Sequence, residues 1–412
     1  MKLRSIFAAS VAAFALSTGE LCADENWSQF RGPNGWGHAE TKDVPEKWSA
    51  SSVAWSTDLK GRGQSSPVIH GGKMFLTGAS EDGSDRYVFC LDTKTGKELW
   101  SKTIPSSKPD SAHKMNSRAT PSCATDGEIV VAFFGPGGMH AFDYDGNPKW
   151  SLDLGDFPGS WGTAASPIIV GEVVVQNCDA TGPSRLVAIG LKDGKIKWET
   201  AREDKPKGGW STPIVIEYDG KKEIVLNGEF GVRAYDPATG KENWFCKGFT
   251  GRGAPMPAFS NGLLYVVNGK PGDTYCVKPG GSGDVTDTHM VWHAARKGGR
   301  DLPSPVVVGD FVFVSSMSGV ASCYEAKTGK LLWADRIAEG VEFAAAPLVA
   351  NGLVYIQAVQ GGKTVVIRPG ATMDVVAENE LGAESDEIFR ATLTPVQGHV
   401  FARSQSKVYC LK

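Results

Sequence analysis

Leu91-Asp92-Thr93-Lys94-Thr95-Gly96-Lys97-Glu98-Leu99-Trp100 has near copies at 235–244 (Tyr-Asp-Pro-Ala-Thr-Gly-Lys-Glu-Asn-Trp) and 324–333 (Tyr-Glu-Ala-Lys-Thr-Gly-Lys-Leu-Leu-Trp). One ten-residue pattern returning along a chain of 412 residues makes repetition the first question. Each copy reads as a strand end, a tight turn and the strand that follows. The turn carries glycine here and at Asp145-Gly146 and Asp193-Gly194, because hairpin turns need positive φ, which glycine adopts without a Cβ clash. The tryptophans keep the beat: Trp55, Trp100, Trp150, Trp198, Trp244, Trp292 and Trp333. The eighth equivalent falls near Val375 and Val376, where no Trp stands.

Upstream of each copy lies a second marker, small residues before a proline, as in Ser65-Ser66-Pro67-Val68-Ile69. Pro67, Pro121, Pro167, Pro213, Pro257, Pro305, Pro347 and Pro395 set the register. Their spacing is near the ~40–50 residues of one four-stranded propeller blade. Between the markers run apolar strands such as Lys73–Thr77 and Tyr87–Asp92. The fold expected is all-β: an eight-bladed β-propeller with four-stranded antiparallel blades. After Pro395 only three strands fit before Lys412. The strand around Trp55 is therefore expected to complete blade eight, so that the N-terminal strand closes the ring and removes a sheet edge.

The domain division expected is 1–23 as a signal peptide, 24–52 as a segment packing on the propeller, and 53–412 as the propeller. Lys2 and Arg4 precede the apolar run Ile6–Leu16, and Leu21-Cys22-Ala23 offers a cleavage site. Glu20 and Leu21 argue against lipid attachment at Cys22. No second apolar stretch is long enough for a transmembrane segment. A periplasmic or secreted monomer is expected. The 43 basic and 46 acidic residues leave a net charge of −3, which gives no general attraction to nucleic acid. Removing Cys22 leaves seven cysteines, none in a CxxC. Cys90, Cys276, Cys323 and Cys410 recur at one strand position and read as small buried hydrophobes.

These copies resemble the PQQ-like (quinoprotein) repeat, and the resemblance covers roughly residues 27–412. That family includes quinoprotein dehydrogenases, the BamB-like scaffold of outer-membrane protein assembly, and a secreted branch whose opening looks like Trp-Ser-Gln-Phe-Arg-Gly-Pro-Asn-Gly at 27–35. The dehydrogenase resemblance implies adjacent cysteines over the quinone, and Glu, Asn and Asp around Ca²⁺. This chain has no Cys-Cys pair, and no acidic trio aligns with such ligands. GxSxG, HExxH and P-loop motifs are absent as well. His289 and His293 flank Trp292 on an expected strand, too far apart to share a metal. No catalytic residue, metal site or cofactor is expected. The expected role is a non-catalytic binding or scaffold module for an envelope protein or a small anionic ligand. The alternative is a PQQ-dependent oxidoreductase using PQQ with calcium.

The loop entering each inner strand lies at one mouth of a propeller channel. Five residues before the marker prolines stand Arg62, Asn116, Gly162, Gly208, Arg252, Arg300, Glu342 and Arg390. Arg118, Trp161, Trp210 and Asp301 share those loops. Arg62, Asn116, Arg118, Trp161, Trp210, Arg252, Arg300, Glu342 and Arg390 are thus the candidate ligand-binding residues. They form a basic, partly aromatic funnel suited to a carboxylate. The competing expectation is that the guanidiniums hold loop carbonyls and pair with Glu342 or Asp301. A third possibility is carbohydrate recognition by the aromatics of residues 27–48.

Overall fold

The computed structural model describes residues 26–412 except 42, 109, 203–205, 249–250, 269–271 and 297–301. The leader, Cys22, Arg300 and Asp301 lie outside the described residues. Eight sheets, each built on four antiparallel strands and one with a short fifth strand added in parallel, follow one another around a ring. Their inner strands are Val68–His70, Ala124–Thr125, Ile168–Val170, Ile214–Tyr218, Ala258–Ser260, Val306–Val308, Leu348–Ala350 and Thr394–Val396, which number blades one to eight. Blade eight takes its outer strand, Val53–Asp58, from the N-terminal side of the chain, with Trp55 opposite Cys410.

The inner strands correct the proline register. Six begin directly after a marker proline, but in blades two and eight that place belongs to Cys123 and Leu393. Pro121 lies two residues early, and Pro395 sits inside its strand opposite Val400. An inner strand is a sheet edge, so the N–H that proline lacks costs no ladder bond.

Each outer-strand tryptophan faces a small residue across the hairpin: Trp100 faces Cys90, Trp198 faces Ala188, and Trp333 faces Cys323. The indole then reaches into the next blade. Trp100 Nε1 donates to the Tyr144 carbonyl at 3.0 Å, Trp198 to that of Pro237 at 3.0 Å, and Trp292 to that of Ala326 at 2.9 Å. The turn glycine of the receiving blade has positive φ and no room for a Cβ beside the ring, as at Gly146 against Trp100. Each blade is thereby clamped to its successor by buried aromatic area and one polar contact.

Two blades depart from this scheme. In blade seven the tryptophan position is Ala377, opposite Val366, rather than Val375 or Val376. Blade eight offers nothing to receive an indole there, because its third strand ends at Leu411 and its fourth begins at Val53. The missing tryptophan and the chain closure are one fact. Cross-strand volume moves with it: where Trp becomes Ala, the facing Cys or Ala becomes Val. In blade five the receiving turn is enlarged to hold strand Gly283–Asp284 and the short helix Thr286–His289. That strand pairs in parallel with Glu242–Cys246 of blade four. Trp244 is fully buried and donates instead to Glu223 Oε2 at 3.0 Å. His289 therefore ends a helix, not a strand, while His293 lies on the strand Met290–Ala294 and contacts Asp273 at 2.8 Å.

Residues 26–48 cross the end of the channel where inner strands turn outward. Trp27 bridges to Ile69 of blade one and His38 to Val349 of blade seven. Arg31 is fully buried and donates to the carbonyls of Trp36 and Pro305, the latter from blade six. Trp48 stacks on Tyr355 with centroids 6.2 Å apart. Trp27 and Trp48 are 3% and 7% exposed, and Trp36 packs on Phe259. The carbohydrate expectation for this segment is overturned, since it required several indoles open in a cleft. No helix among the described residues is long and apolar enough to cross a membrane.

Candidate functional site

The inner strands meet at the axis through a ring of hydroxyl contacts. The Thr392 N–H donates to Ser66 Oγ, Ser66 N–H to Ser122 Oγ, Ser122 N–H to Ser166 Oγ, and Ser166 N–H to Thr212 Oγ1, all at 2.8–2.9 Å. Met256 and Ala346 occupy the same position in blades five and seven, and the Met256 N–H donates to Ser304 Oγ at 3.0 Å. Inner-strand edges have N–H groups with no strand to pair with. Where a small hydroxyl stands before the strand, it answers its neighbour's N–H in a water-poor interior.

Above this ring lies a cavity of about 180 Å³. Two residues before each hydroxyl position stand Gln64, Thr120, Ala164, Trp210, Ala254, Leu302, Ala344 and Arg390, and all eight line it. The loops are extended here, so every second side chain points to the axis. Phe30 of the crossing segment forms the other boundary. The channel is thus a blind funnel, open at the loop mouth and blocked by residues 26–48.

The nine candidate residues separate cleanly. Asn116, Trp161, Trp210, Arg252 and Arg390 line the cavity. Arg62 and Glu342 are exposed and do not line it, and Arg300 lies outside the described residues. Arg118 holds the Asp110 and Glu81 carbonyls at 3.2 and 2.7 Å, the structural role set against ligand binding for these arginines. The register slip changes which positions correspond, but it does not account for Arg62 and Arg252, which are equivalent although only Arg252 lines the cavity. In blades two and eight the positions equivalent to Arg62 and Arg252 are Arg118 and Ile388, whereas Arg390 belongs to the inward set with Gln64. Gln64, Thr120, Leu302 and Phe30 went unmarked in the sequence. A count from the hydroxyl position rather than from the proline finds the first three.

Several contacts set the funnel's shape. The Arg252 guanidinium lies 4.1 Å from the Trp161 ring centroid, and His113 is 4.1 Å from that ring. Trp210 Nε1 donates to the Gly162 carbonyl at 3.0 Å. Asn116 Nδ2 donates to the Trp161 carbonyl at 2.8 Å. His113 and Asn116 belong to the long 106–123 connection, which Asp110 anchors by accepting from buried Arg86 at 2.7 Å. Arg390 Nε is buried with no hydrogen-bond partner. Burial draws its guanidinium below the usual arginine range, and Glu342 pulls weakly the other way.

A family model described as outer membrane protein assembly factor BamB matches residues 47–160, 144–254 and 283–369. The chain belongs to this family of PQQ-like repeat propellers. An outer membrane protein assembly factor BamB of Burkholderia pseudomallei (strain K96243) is 33% identical over 119 residues, which are 29% of this chain and 26% of that protein. The chain therefore spans about a quarter of that relative's length in the match. BamB from Moraxella catarrhalis superposes with a TM-score of 0.64 at 16% identity, covering 87% of this chain and 97% of that one. Quinohemoprotein alcohol dehydrogenase from Comamonas testosteroni does so with 0.65 at 12% identity, covering 94% and 80%. At these identities the likeness bears on fold alone, and it does not choose between a scaffold and a dehydrogenase.

Calcium takes oxygen ligands with carboxylates among them. No Asp or Glu lines the cavity among the described residues, while two arginines do. The described part of that lining offers no carboxylate to a calcium ion.

Proposed function

We propose that this PQQ-like propeller is an exported, non-catalytic binding module of the cell envelope whose recognition element is the blind funnel. The family model's description as an assembly factor supports a binding role and an envelope setting. One observation carries the rest: Arg252 and Arg390 stand at a cavity walled by Trp161 and Trp210, with no carboxylate in its described lining. Arginine forks match carboxylates in two-point hydrogen bonds, and aromatic walls exclude the water that would weaken them. The funnel suits an anionic group presented by an envelope protein or a small anion.

The test uses the mature protein, residues 24–412, titrated calorimetrically with a panel of carboxylates and with PQQ plus Ca²⁺. The expected result is carboxylate binding that disappears when Arg252 and Arg390 are changed together. Unaltered carboxylate affinity in that double variant removes the funnel from the account. Tight, calcium-dependent PQQ binding replaces the binding-module reading with the oxidoreductase one.

A further inference from the structure

We infer that the funnel takes a small carboxylate carrying a single aromatic ring, its carboxylate on Arg390 and its ring among Trp210, Phe30 and the alanine positions. This rests on the binding-module reading and specifies its ligand.

The inward ring holds one charged side chain. Of its eight positions only Arg390 is ionic. Its Nε is buried and unanswered by the protein. Leaving a buried donor unpaired is costly, and more so when it is charged. Glu342 acts on it only at a distance and is itself exposed. The terminal nitrogens of Arg390, which lines the cavity, have no hydrogen-bond partner among the described residues, and a ligand carboxylate would pair with them.

Trp210 belongs to blade four and Arg390 to blade eight, which are diametrically opposed in a ring of eight. A ligand with its charge on Arg390 therefore directs its far end at an indole. Ala164, Ala254 and Ala344 keep the intervening wall low and apolar. The volume sets the size. A dry cavity of ~150 Å³ holds one benzene ring, so about 180 Å³ admits a ring with a short acid arm. A flat apolar body with one anionic end fits charge, wall chemistry and volume together.

The probe is phenylacetate, titrated into the 24–412 protein by calorimetry beside acetate and the uncharged phenylacetamide. Phenylacetate should bind at least tenfold more tightly than either control. Arg390→Gln should remove the preference for acid over amide. Ala344→Leu, which leaves Arg390 in place and fills the cavity, should abolish phenylacetate binding. Thermal melts of both variants verify folding. Equal affinity for acetate and phenylacetate overturns the aromatic assignment while leaving an anion-binding funnel. Binding that survives Ala344→Leu places the ligand elsewhere and overturns the site. Failure of every carboxylate in the panel overturns this inference and the small-anion form of the binding-module reading together.

Discussion

The Trp100 indole lies over Gly146 of the following blade and donates to the Tyr144 carbonyl, one residue beyond that blade's strand Met139–Asp143. Gly146 has φ of 81° and no space for a methyl group against the ring. An alanine there meets the left-handed penalty of roughly 1–2 kcal/mol and overpacking of about 1–3 kcal/mol. Gly146→Ala should therefore lower unfolding stability by about 2–5 kcal/mol, read as a drop in the guanidinium midpoint. A midpoint within error of wild type would show that the clamp between blades adds little.

All seven described cysteines are free and buried. Burial pushes the Cys90, Cys276 and Cys410 thiols up to about 12, and Cys323 to about 11. The thiolate is the reactive species. Native protein should leave these seven thiols unlabelled by a disulfide reagent at pH 8, and denatured protein should expose them all. One fast-labelling thiol among Cys90, Cys276, Cys323 and Cys410 in the folded state would contradict the role of these four as small apolar partners of the tryptophans.

The Arg86 and Asp110 side chains are 0% and 7% exposed, and their 2.7 Å contact pins the 106–123 connection beside the funnel. Breaking a buried pair by removing one partner costs roughly 3–5 kcal/mol, while an apolar replacement of both is often neutral. Asp110→Ala should be strongly destabilising, and Arg86→Met with Asp110→Leu should recover most of the loss. Equal losses in the single and double variants would mean that no stranded charge is involved.

His140 and His70 are both held below the ordinary histidine pKa of 6.5, chiefly by burial. The unfolded chain thus binds more protons than the folded one just below pH 6.5, and stability must fall as pH drops through that range. Carboxylates with lowered pKa, such as Asp92 and Asp143, lose their contribution only under more acid conditions. Urea midpoints should decline from pH 7 to pH 5, less steeply in His140→Gln. An identical decline in that variant would assign the effect elsewhere.

How much of this was legible beforehand depends on whether a feature repeats. The Thr-Gly turn, the tryptophan beat and the closure by Val53–Asp58 could be read from the chain, because each reflects local turn chemistry or strand count. The two prolines that misled the register, Pro121 and Pro395, are compatible with more than one place beside an inner edge strand, so a proline alone does not fix the phase. Ala377 could not be placed from sequence either, since a Trp-to-Ala change erases the marker used to find it.

By itself the sequence determined the all-β repeat, the number of blades and the strand that latches the ring, because periodicities of strand and blade survive without knowledge of neighbours. Only the tertiary structure decided which loop residues face the axis. Counted from the proline, Arg390 falls with Arg62; counted from the inner strand, it falls with Gln64, and Ile388 takes the place of Arg62. The tertiary structure also brought Phe30 into the channel across blades distant in sequence. Whether Arg118 or Arg390 is spoken for depends on carbonyls supplied by other parts of the fold, and no local pattern records them.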